Sequence, residues 1–182
     1  LVGAGRFAEP CGPAIAQAGV ESFIQVHRVQ AEVLYQILAE RARGARRAAD
    51  LYCGLGAIAF HLAAAGIETV GVDRSADAEW AQRAAHDSGL PVSFVRADAG
   101  QAKLGLVDLV VVNPPRKGLS RAARAQVVGL GPERILYLSC GPESLGRDLA
   151  ELTERGYRAV WAQPVDLMPG TAQIETIVEL RR

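Results

Sequence analysis

Cys140 stands in the sequence surroundings of a catalytic nucleophile. It ends an apolar run, residues 134–140, that is typical of a buried strand, and Gly141-Pro142 follows, with Pro142 suited to the first position of a helix. A helix N-terminus lowers the pKa of a cysteine thiol and favours the reactive thiolate. The surroundings therefore indicate a nucleophile, and the alternative is a small residue that packs in the core.

A polar side chain also ends a second apolar run. This run covers residues 107–112 and stops at Asn113, which is followed by Pro114 and Pro115. Neither proline has an N–H to donate, so a strand cannot continue through them. Asn113 is therefore expected at the carboxyl end of a buried strand, which is where open α/β sheets bind ligands.

A glycine turn and an acidic residue predict a nucleoside-binding site. Gly54 and Gly56 lie between a predicted strand and a predicted helix, and glycine permits a tight turn and a close approach of the backbone to a ligand. Asp73 ends the next strand, where a carboxylate can accept hydrogen bonds from ribose hydroxyls. The G-x-G-x-x-A pattern alone fits a dinucleotide as well as other nucleoside ligands.

The carboxyl ends of the predicted parallel strands hold most of these residues. Right-handed crossovers place such ends on one rim of the sheet. A single pocket on that rim is therefore expected to contain Tyr52, Asp73, Asp98, Asn113 and Cys140. Asp98 would lie near the base of the nucleoside, with a helix or loop cap as its alternative role.

Alternating strand and helix patterns predict an α/β fold with a mostly parallel sheet. The first helix is expected to begin at Ser22 or Gln25, with Val26, Val29 and Val33 at helical spacing. Residues 157–168 and 173–180 are strand-like runs joined by Pro169-Gly170, and so short a connection predicts an antiparallel hairpin. This ending matches the seven-stranded, Rossmann-like methyltransferase sheet of class I better than a sheet that binds NAD.

Residues 1–21 are rich in Gly, Ala and Pro and are expected to form a loop or an extended lead-in. We expect them to be the remnant of a missing N-terminal region, because the chain begins at Leu1. Residues 22–182 are expected to form one methyltransferase domain.

The composition limits the function classes. The 182 residues carry 20 basic and 20 acidic side chains, which argues against a globally basic nucleic-acid binder but leaves local patches open. There is no apolar run long enough for a membrane span. The three cysteines, Cys11, Cys53 and Cys140, show neither a pairing pattern nor a metal spacing. We therefore expect a cytoplasmic protein without a membrane anchor or a metal in this chain.

Between residues 22 and 180 the sequence resembles the catalytic domain of the RNA uracil-C5 methyltransferases, which use S-adenosylmethionine. Six blocks in the same order carry the resemblance: residues 22–25 (SFIQ), 50–56 (DLYCGLG), 71–73 (GVD), 113–118 (NPPRKG), 139–149 (SCGPESLGRDL) and 166–175 (DLMPGTAQIE). Most relatives have Asp at the position of Asn113. With Asn there, the sequence is most similar to the bacterial branch that acts on 23S ribosomal RNA. The sequence departs from the family at Asp73, usually Glu, and at Gln173, usually His.

The resemblance implies roles at particular positions. Cys140 would be the nucleophile and Glu175 the general base. The residues implied to contact the cofactor, together with those on the predicted rim, are Gln25, Tyr52, Gly54, Asp73, Asp98 and Asn113. The product would be 5-methyluridine in RNA, with rRNA processing the expected context. An RNA-binding module or an iron–sulfur site, which relatives carry, would lie only in the missing N-terminal region.

A basic cluster beside the pocket is expected to meet RNA phosphates. Arg116, Lys117, Arg121 and Arg124 form it without an intervening acid, and a solvated helix face is the alternative. The resemblance adds Phe23 as a residue that helps to build the substrate pocket.

The residues after Asn113 argue against two other methyltransferase classes. Enzymes that methylate exocyclic amines carry an aromatic residue after the prolines, where this sequence has Arg116. The other family of RNA enzymes, which methylate cytosine C5, carries a cysteine in this loop, and residues 113–118 contain none. A dinucleotide oxidoreductase would leave the terminal hairpin and the pair Cys140 and Glu175 without a role. A catalytically inactive domain that binds S-adenosylmethionine or RNA, and a target in tRNA, remain alternatives.

Overall fold

The computed structural model describes residues 5–182 and contains two sheets and five helices in that range. The strands are β1 (Arg6–Cys11), β2 (Ala14–Gly19), β3 (Arg47–Leu51), β4 (Glu68–Asp73), β5 (Val92–Arg96), β6 (Leu109–Val112), β7 (Arg134–Ser139), β8 (Arg158–Val165) and β9 (Glu175–Arg181). The helices are α1 (Arg28–Arg41), α2 (Ala57–Ala64), α3 (Asp77–Ser88), α4 (Arg121–Gly129) and α5 (Pro142–Glu154).

The larger sheet has seven strands in the order β5-β4-β3-β6-β7-β9-β8. The five strands from β5 to β7 are parallel, and β9 pairs antiparallel with both β7 and β8. The predicted α/β class, the mostly parallel sheet and the antiparallel C-terminal hairpin are thus confirmed. Apolar clusters cover both faces of this sheet, so the central strand β6 is buried along its whole length.

The lead-in prediction is wrong for the part of residues 1–21 that the structure describes. β1 and β2 form an antiparallel hairpin, which packs against α3 and α2 through a buried face of small residues. Residues 1–4 lie outside the described range.

The first helix begins later than expected. It starts at Arg28, and His27 caps it by accepting the Gln30 N–H at its Nδ1 atom. Its buried residues are Ala31, Leu34 and Leu38, whereas Val26, Val29 and Val33 are exposed. The helical spacing therefore predicted the helix correctly. Its buried face, however, is formed by Ala31, Leu34 and Leu38 and not by the three valines.

The described part of the chain, residues 5–182, contains no helix with the length and apolarity that a bilayer crossing requires.

Candidate active site

The carboxyl ends of β3, β4 and β6 lie in one row. Leu51 pairs with Val72 on one side and with Val112 on the other, so the next residues along the three strands are neighbours. The Tyr52 N–H donates to the Val72 carbonyl at 2.9 Å, and the Asn113 N–H donates to the Leu51 carbonyl at 3.2 Å. The structure thus brings Tyr52, Asp73 and Asn113 together on the rim that the sequence predicted.

The glycine turn is tied to the carboxylate of Asp73. The Gly54 N–H donates to Oδ2 at 3.0 Å, and the Ser75 N–H donates to Oδ1 at 2.8 Å. Each carboxylate oxygen has a second lone pair, so Asp73 keeps acceptor capacity for ribose hydroxyls while its orientation is fixed. Gly56 has a φ of 85°, and a Cβ there would collide with the Phe94 ring, so both the turn and the packing require glycine.

Tyr52 has an unusual backbone conformation for its residue type. Its φ is 66°, and it is the one non-glycine residue with a positive φ in the described range. Such strain is costly for an aromatic residue and clusters at functional sites. Burial raises the pKa of the Tyr52 hydroxyl, and the nearby Asp98 carboxylate adds to the shift. The phenol therefore remains a neutral hydrogen-bonding group on the rim.

Asp98 closes a local turn at the end of the segment after β5. Its side chain is exposed, and its Oδ1 accepts the Gly100 N–H at 2.8 Å. This geometry supports the loop-cap alternative, and a contact with the base stays a prediction.

The segment that holds Phe23 and Gln25 is anchored beside the rim. The Ser22 hydroxyl donates to Asp77 Oδ1 at 2.6 Å, and Asp77 begins α3 shortly after Asp73. Gln25 is half-buried, while Phe23 is 68% exposed. The anchor is consistent with a cofactor contact at Gln25, and the exposed ring of Phe23 is accessible to a flat ligand such as a base.

Cys140 and Glu175 occupy facing positions across the β7–β9 pair. The last paired residues are Ser139 and Thr176, so the antiparallel register places Cys140 opposite Glu175 one step further on. Directly opposite residues in such pairs have Cα atoms about 4.5–5.5 Å apart. Sequence spacing leaves these residues 35 positions apart, and the terminal hairpin brings them together.

The environment of Glu175 suits a base that is partly withdrawn from water. Its Oε2 atom is buried and has no hydrogen-bond partner among residues 5–182. Burial raises the pKa of the carboxyl, and the Arg116 guanidinium offsets part of the shift. Arg116 is held by a 2.9 Å hydrogen bond from its Nη2 to Gln173 Oε1. The carboxylate therefore keeps free acceptor capacity at its Oε2 atom.

A cavity of about 510 Å³ opens next to Cys140. It is lined by Arg116, Lys117, Gly141, Pro142, Glu143, Ser144 and Arg147. A Cβ at Gly141 would lie 3.1 Å from the Arg116 carbonyl oxygen, so the residue after Cys140 packs closely against the segment that follows Pro114 and Pro115. The three cations give this cavity a net positive lining.

The basic cluster divides into two groups. Arg116 and Lys117 are exposed and line the cavity, and Arg121 is exposed at the first position of α4. Arg124 is only 16% exposed and pairs with Asp148 at 2.8 Å and Glu151 at 2.6 Å. The expectation of a cluster without acids is therefore wrong for Arg124, because these carboxylates from α5 pack against α4.

Two buried carboxylates were missed by the sequence reasoning. Asp148 is fully buried, and its signal in the sequence is an acid on the apolar face of α5 between Leu145 and Leu152. Asp50 is also fully buried, and its Oδ2 accepts the Ala59 N–H at 3.1 Å, which joins β3 to α2 across the glycine turn.

The pKa of Asp50 predicts how stability depends on pH. Burial raises this pKa from its ordinary value of 3.8 to about 8. Between these values the folded protein holds a proton that the unfolded chain releases, so the free energy of unfolding should fall as the pH rises through this range. Asp50→Asn should remove that contribution. Urea unfolding at about pH 5 and about pH 8 measures it, and an unchanged difference between the two pH values in the variant would contradict it.

No group of three or more His, Cys, Asp or Glu side chains suited to a metal ion occurs within residues 5–182.

The fold and the rim define a methyltransferase-type α/β domain, and comparison with known proteins agrees. Residues 15–128 match the family model described as methyltransferase small domain, and residues 93–182 match the model described as tRNA (uracil-5-)-methyltransferase. The chain belongs to the methyltransferase small domain family. The resemblance to RNA uracil-C5 methyltransferases is confirmed by the second match and by the relatives below.

Two curated relatives are named uncharacterized RNA methyltransferases. The protein of Clostridium tetani is 36% identical over 86% of this chain and 36% of its own length. That of Thermosynechococcus vestitus is 38% identical over 90% of this chain and 38% of its own length. The chain thus spans little more than a third of the length of these relatives.

A similar solved structure is the tRNA (uracil-54, C5)-methyltransferase of Pyrococcus abyssi in complex with S-adenosyl-L-homocysteine. The two share 26% sequence identity with a TM-score of 0.85, over 98% of this chain and 45% of the other. A transferase of Pyrococcus horikoshii has the same fold at 10% identity, with a TM-score of 0.75 over 98% of this chain.

Proposed function

We propose that this chain is the catalytic domain of an RNA methyltransferase that uses S-adenosylmethionine and methylates uracil at C5. The facing positions of Cys140 and Glu175, at the end of β7 and the start of β9, carry the proposal together with the row of Tyr52, Asp73 and Asn113 on the same sheet. Covalent methylation of a pyrimidine carbon needs both a nucleophile and a base, and the terminal hairpin supplies one next to the other.

The residues of the rim fit the proposed cofactor. Gly54 leaves its surroundings open, since a Cβ there would meet nothing within 4 Å. Asp73 offers carboxylate oxygens for ribose, and Asn113 offers amide groups at the end of β6. When bound, S-adenosylmethionine supplies an electrophilic methyl group on a sulfonium. Gln25, Tyr52 and Asp98 would complete the contacts.

Cys140 activates the substrate carbon in this mechanism. Its thiolate forms a bond to C6 of the uracil ring, and the electron pair of the C5–C6 double bond moves to make C5 a nucleophilic enolate carbon. C5 would then accept the methyl group of the sulfonium, whose carbon–sulfur bond breaks and leaves its electron pair on sulfur. Cys140 lies just before α5, which begins at Pro142.

Glu175 completes the reaction in the same mechanism. After methyl transfer C5 carries both a methyl group and a proton. The carboxylate takes that proton, the C5–C6 double bond reforms, and the thiolate leaves C6. Because the register of β7 and β9 places Glu175 opposite Cys140, removal of the proton and release of the thiolate can occur within one pocket.

The substrate side of the proposal rests on the cations and on an exposed ring. Arg116, Lys117 and Arg121 would contact phosphates, which fix the register of the RNA without reading its sequence. The target base must leave its stack to enter the site, at a cost of about a few kcal/mol, and Phe23 offers a ring on which a base can stack. We therefore propose that the protein modifies RNA in the cytoplasm.

Two RNA classes compete as substrate. Asn113 favours 23S ribosomal RNA, because of its similarity to the bacterial branch with that target. The Pyrococcus abyssi relative acts on tRNA, which makes tRNA the second candidate.

Incubation with S-adenosylmethionine labelled in the methyl group tests the function and chooses between the substrates. Unmodified 23S rRNA and unmodified tRNA transcripts are incubated separately with the protein and digested to nucleosides. We expect the label in 5-methyluridine, with the rRNA preferred. Label in any other nucleoside would contradict uracil-C5 chemistry, and binding of S-adenosylhomocysteine without transfer to either RNA would favour the inactive binding domain.

A further inference from the structure

A buried carboxylate connects the helix after Cys140 to the loop after Asn113. Asp148 lies in α5 and accepts hydrogen bonds from the Tyr137 hydroxyl at 2.6 Å, the Leu119 N–H at 2.6 Å and Arg124 Nη1 at 2.8 Å. These donors come from β7, from the loop and from α4. Its side chain is fully buried, so the carboxylate is satisfied by protein groups and not by water.

The loop of residues 113–119 meets α5 at further points. The Lys117 carbonyl accepts a 2.5 Å hydrogen bond from Arg147 Nη2. The backbone at Gly118, with φ of 76°, approaches Asp148 so closely that a Cβ there would collide with the carboxylate. At the other end of the contact, the Arg116 carbonyl packs against Gly141. The loop therefore follows α5 from Gly141, just before its first turn, to Asp148 in its second turn.

We propose that Asp148 is a positioning residue that fixes the loop of residues 113–119 against the Cys140–Gly141 turn. It touches neither substrate nor cofactor and acts through the loop. Its consequence for catalysis rests on the proposed function, since the loop begins at Asn113 and holds Arg116 beside Glu175. A shift of the loop would change the cofactor end and the base end of the site together.

The chemistry of the contacts explains why a carboxylate is needed. Every hydrogen-bonding group that faces Asp148 is a donor, from Tyr137, Leu119, Arg124 and Arg147. Burial and the adjacent carboxylate raise the pKa of the Tyr137 hydroxyl, so it stays protonated and donates. An amide in place of the carboxylate has one acceptor oxygen and would turn its NH₂ group towards a donor, which leaves buried groups unpaired.

Hydrogen exchange compares Asp148→Asn with Tyr137→Phe as a matched control. Both variants lose a buried hydrogen bond at this position, but only Asp148→Asn leaves a single acceptor oxygen, for which the Leu119 N–H competes with the donors of Tyr137 and Arg124. We expect backbone amides of residues 116–120 to exchange at least about 10-fold faster in Asp148→Asn and less than about 3-fold faster in Tyr137→Phe. The urea unfolding midpoints of both variants show how much of any faster exchange comes from a loss of global stability. Equal loop exchange in the two variants, at equal stability, would overturn the proposal.

Methyl transfer to RNA gives the second readout on the same proteins. We expect kcat to fall at least about 10-fold further in Asp148→Asn than in Tyr137→Phe. A loosened loop with unchanged kcat would also overturn the proposal. If the unsubstituted protein transfers no methyl group to any RNA, the proposed function fails, while hydrogen exchange still decides whether Asp148 holds the loop.

Gly118→Ala provides an independent variant in case Asp148→Asn does not fold. It keeps the carboxylate and its pairing with Arg124, and forces the loop away from α5 by the added Cβ. The same increase in loop exchange and the same loss of kcat are expected. Normal exchange and normal kcat in Gly118→Ala would contradict the positioning role.

Discussion

Replacement of Cys140 by alanine is expected to abolish methyl transfer while the cofactor still binds. Without the thiolate, C5 of uracil is not activated, so the rate should fall by at least about 1,000-fold. Cys140 is half-buried at the end of β7, and removal of its sulfur leaves the row of Tyr52, Asp73 and Asn113 intact. Labelled methyl transfer and calorimetric binding of S-adenosylhomocysteine measure the two properties separately.

Cys11→Ala is the matched control for this experiment. Cys11 is a buried thiol in the β1–β2 hairpin, and burial raises its pKa to about 12, so it is not a thiolate at neutral pH. This variant should retain methyl transfer within about a factor of three. Full activity in Cys140→Ala would show that the nucleophile has been assigned to the wrong residue.

Replacement of Glu175 by glutamine should trap the enzyme on ordinary RNA. The amide has nearly the same shape but cannot accept the C5 proton, so the thiolate cannot leave after methyl transfer. Turnover should fall by about 100- to 10,000-fold, and a covalent complex of protein and methylated RNA should accumulate. Denaturing electrophoresis with labelled methyl groups detects that complex.

Glu133→Gln controls for the loss of a carboxylate elsewhere on the same sheet. Glu133 is exposed and precedes β7, at the end remote from Cys140. It should show normal turnover and no covalent complex. Steady turnover of Glu175→Gln, with no complex, would mean that another group removes the proton.

The rim could be predicted from the sequence because a parallel sheet aligns its strand ends. Each of Tyr52, Asp73 and Asn113 follows an apolar run, and the fold has only one way to place the carboxyl ends of neighbouring parallel strands. Locating the ends of the strands in the sequence was therefore enough to predict the rim, without knowledge of side-chain contacts.

The hairpin of residues 6–19 could not be predicted in this way. Its buried face uses Ala14, Ala16 and Ala18, which have low β-propensity and give no apolar alternation of large residues. The start of α1 was misplaced for a related reason, because Ser22 has the side chain of a typical cap but donates to Asp77 instead. In both cases a tertiary contact decided the local structure.

The pairing of Cys140 with Glu175 depends on strand register, which no local signal in the sequence sets. A shift of β9 by one residue would turn the Glu175 side chain to the other face of the sheet. The family resemblance implies that Glu175 is the general base, and the register of β7 with β9, which places Glu175 opposite Cys140, supports this prediction. The role of Asp148 could not be predicted from the sequence, because its hydrogen-bond donors come from β7, from the loop of residues 113–119 and from α4.

The most direct test of the mechanism is incubation with RNA that contains 5-fluorouridine, in the presence of S-adenosylmethionine, followed by mass mapping of the protein. Fluorine at C5 cannot be removed as a proton, so the covalent complex should persist after methyl transfer. We expect one methylated RNA adduct per protein chain, on the tryptic peptide that contains Cys140. An adduct on a different residue, or consumption of the cofactor without any adduct, would contradict it.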